Sequence, residues 1–472
     1  MKTFHIFLPS LLFIIVGLMV IPQSSNAQTS VFIDQAGSAE GDVINGEPVR
    51  KLLNNVIIRT DDMVMEADSA YQFINQNMIH AFNIQIETDD DMIWADTLYH
   101  DTLTDYSQFR GRVVVQSETN TLFSQLVDVF NALDLVFFDS PVRFEDERGT
   151  LLAESGIYYQ AIDSAIFRGD VQLADSTQYL ESDSLFMNRS DDLYELYSRV
   201  YADDFEEKVT FTGDYLYADS LGYRLLTGDA WLMEVSESEA DTTHLLGEKI
   251  EIQETDTVSY MDAYENVRIW STNFAAVADT SNYRDDEDRF YLRSSAILWR
   301  DNIQLSGPLI EATFEDDDIE FLRSFTRPIA VQEDSATSRL NQMTGDTLHA
   351  YFDDGELQRI VVFDNSEIIF HLKDDDDQPD GLMELVAAGA STLIFVDGEF
   401  DNFKAERNVD GSHLPEDPAN IDRQLDNFRW DPDLKPERPP IHTPRLPAIP
   451  DEPLFEYPPR YQRYLDSLEN NE

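Results

Sequence analysis

The residue types that carry most enzyme chemistry are missing from this chain or scattered through it. Cysteine is absent, which removes thiol nucleophiles, thiolate zinc sites, iron–sulfur clusters and disulfides together. The eight histidines, at positions 5, 80, 100, 244, 349, 371, 413 and 442, form neither HxxxH nor HExxH, so no zinc site is expected. No GxSxG elbow, GxGxxG turn or GxxxxGK[ST] loop occurs. Acidic runs at Asp89–Asp91, Asp316–Asp318 and Asp374–Asp377 read as solvated loops. The calcium-like start at Asp376-Asp377-Gln378 is interrupted by Pro379, and Ala387 stands where a bidentate glutamate belongs. With 92 acids, carboxylate pairs of glycosidase type are too common to single one out. The expectation is a protein without catalytic residues, metal or cofactor.

The elements that would position any site are strands. The 472 residues have room for roughly two to four domains or one long array. Apolar residues make up 42% and aromatics 11%, enough burial potential for a folded chain despite a net charge of −59. That charge repels phosphate backbones and excludes nucleic-acid binding by charge neutralisation. The cations are 7 Lys and 26 Arg, and this acidic, lysine-poor balance reads as adaptation to salty surroundings. From about Val43 to Phe428 short runs alternate apolar and polar residues, as in Val113/Val115, Val171/Leu173, Val209/Phe211, Ile250/Ile252 and Leu393/Phe395. Period two with β-branched and aromatic residues predicts strands with one buried face. Denser apolar spacing predicts helices at Leu122–Leu133 and Gly381–Ala388.

Two phrases recur. An acid-hydroxyl pair stands in Ala67-Asp68-Ser69, Ala95-Asp96-Thr97, Ser182-Asp183-Ser184, Ala218-Asp219-Ser220 and Gly345-Asp346-Thr347. A glycine opens the following strand in Gly111-Arg112-Val113, Gly169-Asp170-Val171 and Gly228-Asp229-Ala230. The acidic phrase lets a strand bend while its side chains satisfy freed amides, and the glycine accepts a turn conformation at the facing corner. Repeated corners stack rungs that bury their apolar faces only against neighbours, giving an elongated array.

On these phrases the chain resembles the OstA-like proteins of lipopolysaccharide transport, over about Val43 to Trp430. The matches are Ala95-Asp96-Thr97-Leu98-Tyr99 with Gly111-Arg112-Val113, Ser155-Gly156-Ile157-Tyr158 with Gly169-Asp170-Val171, and Ala218-Asp219-Ser220-Leu221 with Gly228-Asp229-Ala230, closed by Asn427-Phe428-Arg429-Trp430. The resemblance implies an all-β fold: antiparallel β-jellyroll (β-taco) repeats with an open apolar groove and few short helices. It further implies a groove that holds lipid A acyl chains and modules that join other Lpt-type jellyrolls by edge-strand pairing. One 12-carbon chain needs roughly 8–10 kcal/mol of apolar cover, and the groove candidates are Val113, Val115, Val171, Leu173, Val209 and Phe211. A packed sandwich core would use the same residues. Anionic headgroups would need arginines beside the strands, with Arg110, Arg112 and Arg168 as first candidates and Arg143, Arg268 and Arg359 behind them.

The ends carry their own signals. Lys2, the apolar stretch Leu11–Ile21 and Ser25-Asn26-Ala27 predict a signal peptide over residues 1–27 and hence an exported protein; the resemblance implies a periplasmic one associated with outer-membrane assembly, and it is not expected to be inserted. Cleavage would remove one lysine and no acid, taking the net charge from −59 to −60. Residues 28–250 and 251–430 are expected to hold the jellyroll modules, the second set more divergent. Residues 431–472 hold 10 of the 19 prolines and predict a disordered tail, with Leu454, Phe455, Tyr457, Tyr461 and Tyr464 as a docking peptide for an envelope partner. The rival readings are a structural or adhesive β-repeat protein without a ligand, and a carbohydrate-active enzyme on a parallel β-helix.

Overall fold

The computed structural model describes residues 32–469 except 61–62, 147–148, 237–240, 256–258, 288, 316–317, 354–355, 375, 377 and 397–398. The expected signal peptide lies outside the described residues. The chain forms two compact units: a first of residues up to 206, 215–220 and the tail from 443, and a second of residues 207–214 and 221–442. Residues 250 and 251, where the sequence reading divides the array, lie within the strand Thr242–Glu254.

In the first unit, strands of ten to thirteen residues follow one another as antiparallel neighbours, from Glu47–Arg59 through Tyr106–Gln116 and Ser164–Asp175 to Leu193–Asp204. Each bends near its middle. The register slips between Leu53 and Val56, Trp94 and Thr97, Arg110 and Val113, and Arg168 and Val171. These bulges re-aim the backbone and split the sheet into two arms. Midway the bend is complete, and two pairs of short strands, Leu135–Phe138 with Val142–Asp146 and Gly149–Ala153 with Ser155–Tyr159, replace single long ones.

Each arm carries an unbroken apolar row. On one, Ile86, Ile93, Val115, Leu122, Phe144 and Leu151 are successive cross-strand partners. On the other, Leu52, Ala70, Ala81, Leu98, Phe109 and Val127 are. All twelve are buried. The rows face each other: the Phe144 ring meets Phe138 at 5.7 Å and Phe167 at 5.6 Å, both edge-on and both from the opposite arm. The second unit repeats the plan from Tyr223–Val235 onward, with short paired strands after Ile303–Glu315. Its arms enclose a cavity of about 20 Å³ lined by Leu305, Leu322, Ala330, Leu348 and Ile360, with room for little more than one water.

The all-β antiparallel expectation holds. Three details differ from the sequence reading. Residues predicted as helices form the strands Asn120–Phe130, with a 3₁₀ turn at Asn131–Leu133, and Pro379–Ala387. At the first of these, alternation is blurred because Leu122 and its neighbour Phe123 are both buried, on opposite faces of one strand. The tail is not a disordered leash: it packs along strands and ends in the α-helix Pro459–Glu469. And the groove does not stand open along the rows above, because apolar side chains of one arm are covered by those of the other.

Candidate functional site

The corner phrases act as their chemistry suggests. The Asp96 carboxylate accepts the Arg112 backbone N–H at 3.1 Å and pairs with its guanidinium at 2.7 Å. Gly111 faces it with φ +92°, and a Cβ there would lie 2.7 Å from that of Asp96, so only glycine fits. Asn83 donates to Asp68 at 2.8 Å, Arg199 to Asp183 at 3.0 Å, and Asn365 to Asp346 at 3.0 Å. Two pairings differ from the sequence reading. Gly169 faces Glu154, one residue before the Ser155-Gly156 phrase, and Gly228 faces Asp214, while Asp219 ends the strand Val209–Asp219.

Of the groove candidates, Val113, Val115, Val171 and Leu173 lie in the first unit on the inward row, paired with Ser124, Leu122, Ser182 and Leu180. Val209 and Phe211 lie in the second unit. All six are no more than 3% exposed. Arg110, Arg112 and Arg168 sit beside mid-strand bends. Arg110 lies over the Tyr99 ring at 5.2 Å, Arg112 is held by Asp96, and Arg168 is exposed at the corner before Gly169. Arg359 lies 4.0 Å over Tyr351.

The outer face of the inward row's arm holds what sequence reasoning missed. In the first unit Trp94, Val114, Phe123 and Arg143 are successive cross-strand partners, and Gln172 pairs with Glu181 further along. All six are buried because the tail lies over them. Glu181 accepts the backbone N–H groups of Arg445 and Leu446 at 2.7 and 3.0 Å. Gln172 donates to the Pro447 carbonyl at 2.8 Å, and Arg143 to those of Pro450 and Glu452 at 2.5 and 3.3 Å. Phe123 packs on Phe455 and Tyr457, and Trp94 on Tyr461 and Tyr464. Arg460 then reaches Glu66 at 2.9 Å and Asp68 at 3.2 Å. The aromatic docking residues of the sequence reading thus dock on this chain's own strands.

The second unit uses the same device on residues 423–442. Gln342 donates to the Arg423 carbonyl at 3.0 Å and accepts the Leu425 N–H at 2.9 Å. Gln304 does the same for Arg429 and Asp431, at 3.0 and 2.8 Å. His442 lies 4.2 Å from the Trp231 ring, whose indole N–H donates to Nδ1 of the fully buried His244. Burial, then the charges of Arg438 and His442, holds the His244 imidazole down at about 4. An unfolded histidine titrates near 6.5. The folded unit resists taking up that proton, so the histidine's contribution to stability is whole above pH 6.5 and is lost as pH falls toward 4. The expected loss is about 3 kcal/mol at full shift. A His244→Gln variant should lack this slope in thermal melts run from pH 7 to 4.5; a parallel slope in both proteins would rule the residue out as its source.

Residues 28–183 match the OstA-like protein family. Among solved structures, the chain is similar to LptH of Pseudomonas aeruginosa, the LptA-homologous periplasmic component of a lipopolysaccharide transport device. The identity is 13%, over 30% of this chain and 95% of that one, with a TM-score of 0.24. No curated protein matches the chain. The family match covers residues 28–183, the part of the chain that carries the bent strands and facing apolar rows described above.

Proposed function

We propose that the protein is a non-enzymatic carrier in the periplasm that binds lipopolysaccharide by its acyl chains between the two arms and passes it toward the outer membrane. The match of residues 28–183 to the OstA-like family carries this reading. The facing apolar rows of the first unit support it, because they offer a continuous greasy surface many strands long. Val113, Val115, Val171 and Leu173 would line the path in the first unit, and Val209 and Phe211 are the corresponding candidates within the second. Lipid entry has to part the Phe144 contacts, and the hinge for that motion is the line of bulges. A surface depression of about 420 Å³ at the first strands is lined by Val43, Pro48, Val49 and Ile74 together with Glu40, Asp42 and Arg50. The strands Phe32–Gln35 and Ser38–Ile44 pair with Glu47–Arg59 only, among the described residues, which leaves their outer edge for strand pairing with another jellyroll protein. Arg110, Arg112 and Arg168 would meet phosphate only where a headgroup reaches the bends.

Exported protein should copurify with hydroxylated fatty acids of lipid A, detected by mass spectrometry after solvent extraction, and should take up a photoreactive lipid A that crosslinks to the inward rows. Protein that carries no lipid and takes up none would end this reading in favour of a filled structural array.

A further inference from the structure

The tail segment in the first unit is bound as a ligand is bound. Among the described residues no backbone-to-backbone hydrogen bond joins it to the strands. Its backbone is met by side chains instead: the Glu181 carboxylate on two N–H groups, the Gln172 amide on one carbonyl and the Arg143 guanidinium on two. Prolines at 444, 447, 450 and 453 bar a strand ladder and hold the segment extended, so little chain entropy is lost on seating it. Aromatic anchors at Phe455, Tyr457, Tyr461 and Tyr464 fill the apolar end over Phe123 and Trp94. Cations mark both ends: Arg445 pairs with Asp170 at 2.7 Å, and Arg460 with Glu66 and Asp68. Polar, backbone-reading groups at one end and an aromatic patch at the other give the site a direction.

We propose that the outer row from Trp94 to Glu181 is a binding site for an extended proline-rich peptide with a C-terminal aromatic helix. Residues 445–465 are its resident ligand, held by contacts that let an identical segment replace it in trans. Leaving the site breaks no sheet ladder. Glu181, Gln172 and Arg143 regain water when it empties, so the bare row keeps its strands. The acidic body and the arginines of the segment make binding salt-dependent.

The test uses the full chain with a specific protease site inserted between His442 and Thr443. After cutting, residues 443–472 should stay with the body on gel filtration at micromolar concentration. A fluorescent synthetic copy of residues 443–469 should exchange into the cut protein, while a scrambled copy should not. Glu181→Ala, which strands two N–H groups, should weaken that binding at least about tenfold. Loss of the fragment at once on cutting overturns the proposal; so does a fragment that stays but never exchanges, or equal affinity in Glu181→Ala. Should the insertion disturb folding, amide exchange on the unaltered chain decides. The Arg445 and Leu446 amides should be protected and should lose protection in Glu181→Ala, while those of the strand Ser164–Asp175 keep theirs. Unprotected amides in the parent would refute the site.

Discussion

Replacing Val171 with aspartate should destabilise the first unit by about 3–5 kcal/mol, a large part of the 5–15 kcal/mol that holds a typical domain together. Val171 is 2% exposed, opposite Ser182 on the inward row and next but one to Leu173. A carboxylate there has no cation within the row to pair with, so it either stays ionised at high cost or takes up a proton. Urea unfolding followed by amide exchange of the strands Ser164–Asp175 and Gln178–Asn188 would read the loss. A variant that keeps its midpoint within about 1 kcal/mol of the parent would mean that water reaches the inward row, and the packed interior described above would be wrong.

The second large effect is expected at Phe144. Its ring is fully buried and spans the two arms, touching Phe138 and Phe167. Phe144→Ala should cost about 3–5 kcal/mol and leave an apolar void between the arms. Such voids accept apolar guests, and a guest that binds only the folded form restores stability by mass action. On the proposed function, the variant should bind a fluorescent fatty acid more tightly than the parent and regain part of its lost melting temperature when the fatty acid is present. A variant that is destabilised yet binds no more acyl chain than the parent would show that the space between the arms is core alone.

Much of the fold was legible because its causes are local. Alternation in Val113/Val115 and Val171/Leu173 marks a face, and Asp96 with Gly111 marks a bend; both signals sit within one strand or between two neighbours. Where the spacing was ambiguous, geometry decided otherwise: Gly228 takes Asp214 as its facing acid because register, not phrase order, sets who stands opposite. The outer site was illegible for a different reason. Gln172 between Val171 and Leu173, and Glu181 between Leu180 and Ser182, look like residues on a solvated face. Their cover comes from Arg445, Leu446 and Pro447, more than 260 positions away, and nothing in a short window records so distant a lid. The prolines of the tail, which do forbid a strand, were correct evidence against pairing and silent about docking. That Phe144 reaches the opposite arm follows only from how sharply the neighbouring strands turn.

The ion pairs of Arg460 with Glu66 and Asp68 join positions 394 and 392 apart, and closing loops of that length is slow compared with pairing adjacent strands. A chain delivered in order from its N-terminus therefore completes its earliest rungs last. Trp94 and Phe123 face solvent until the aromatic residues from Phe455 to Tyr464, more than three hundred positions later, have been delivered, so a prematurely terminated chain displays a bare aromatic patch that a quality-control protease or chaperone can read.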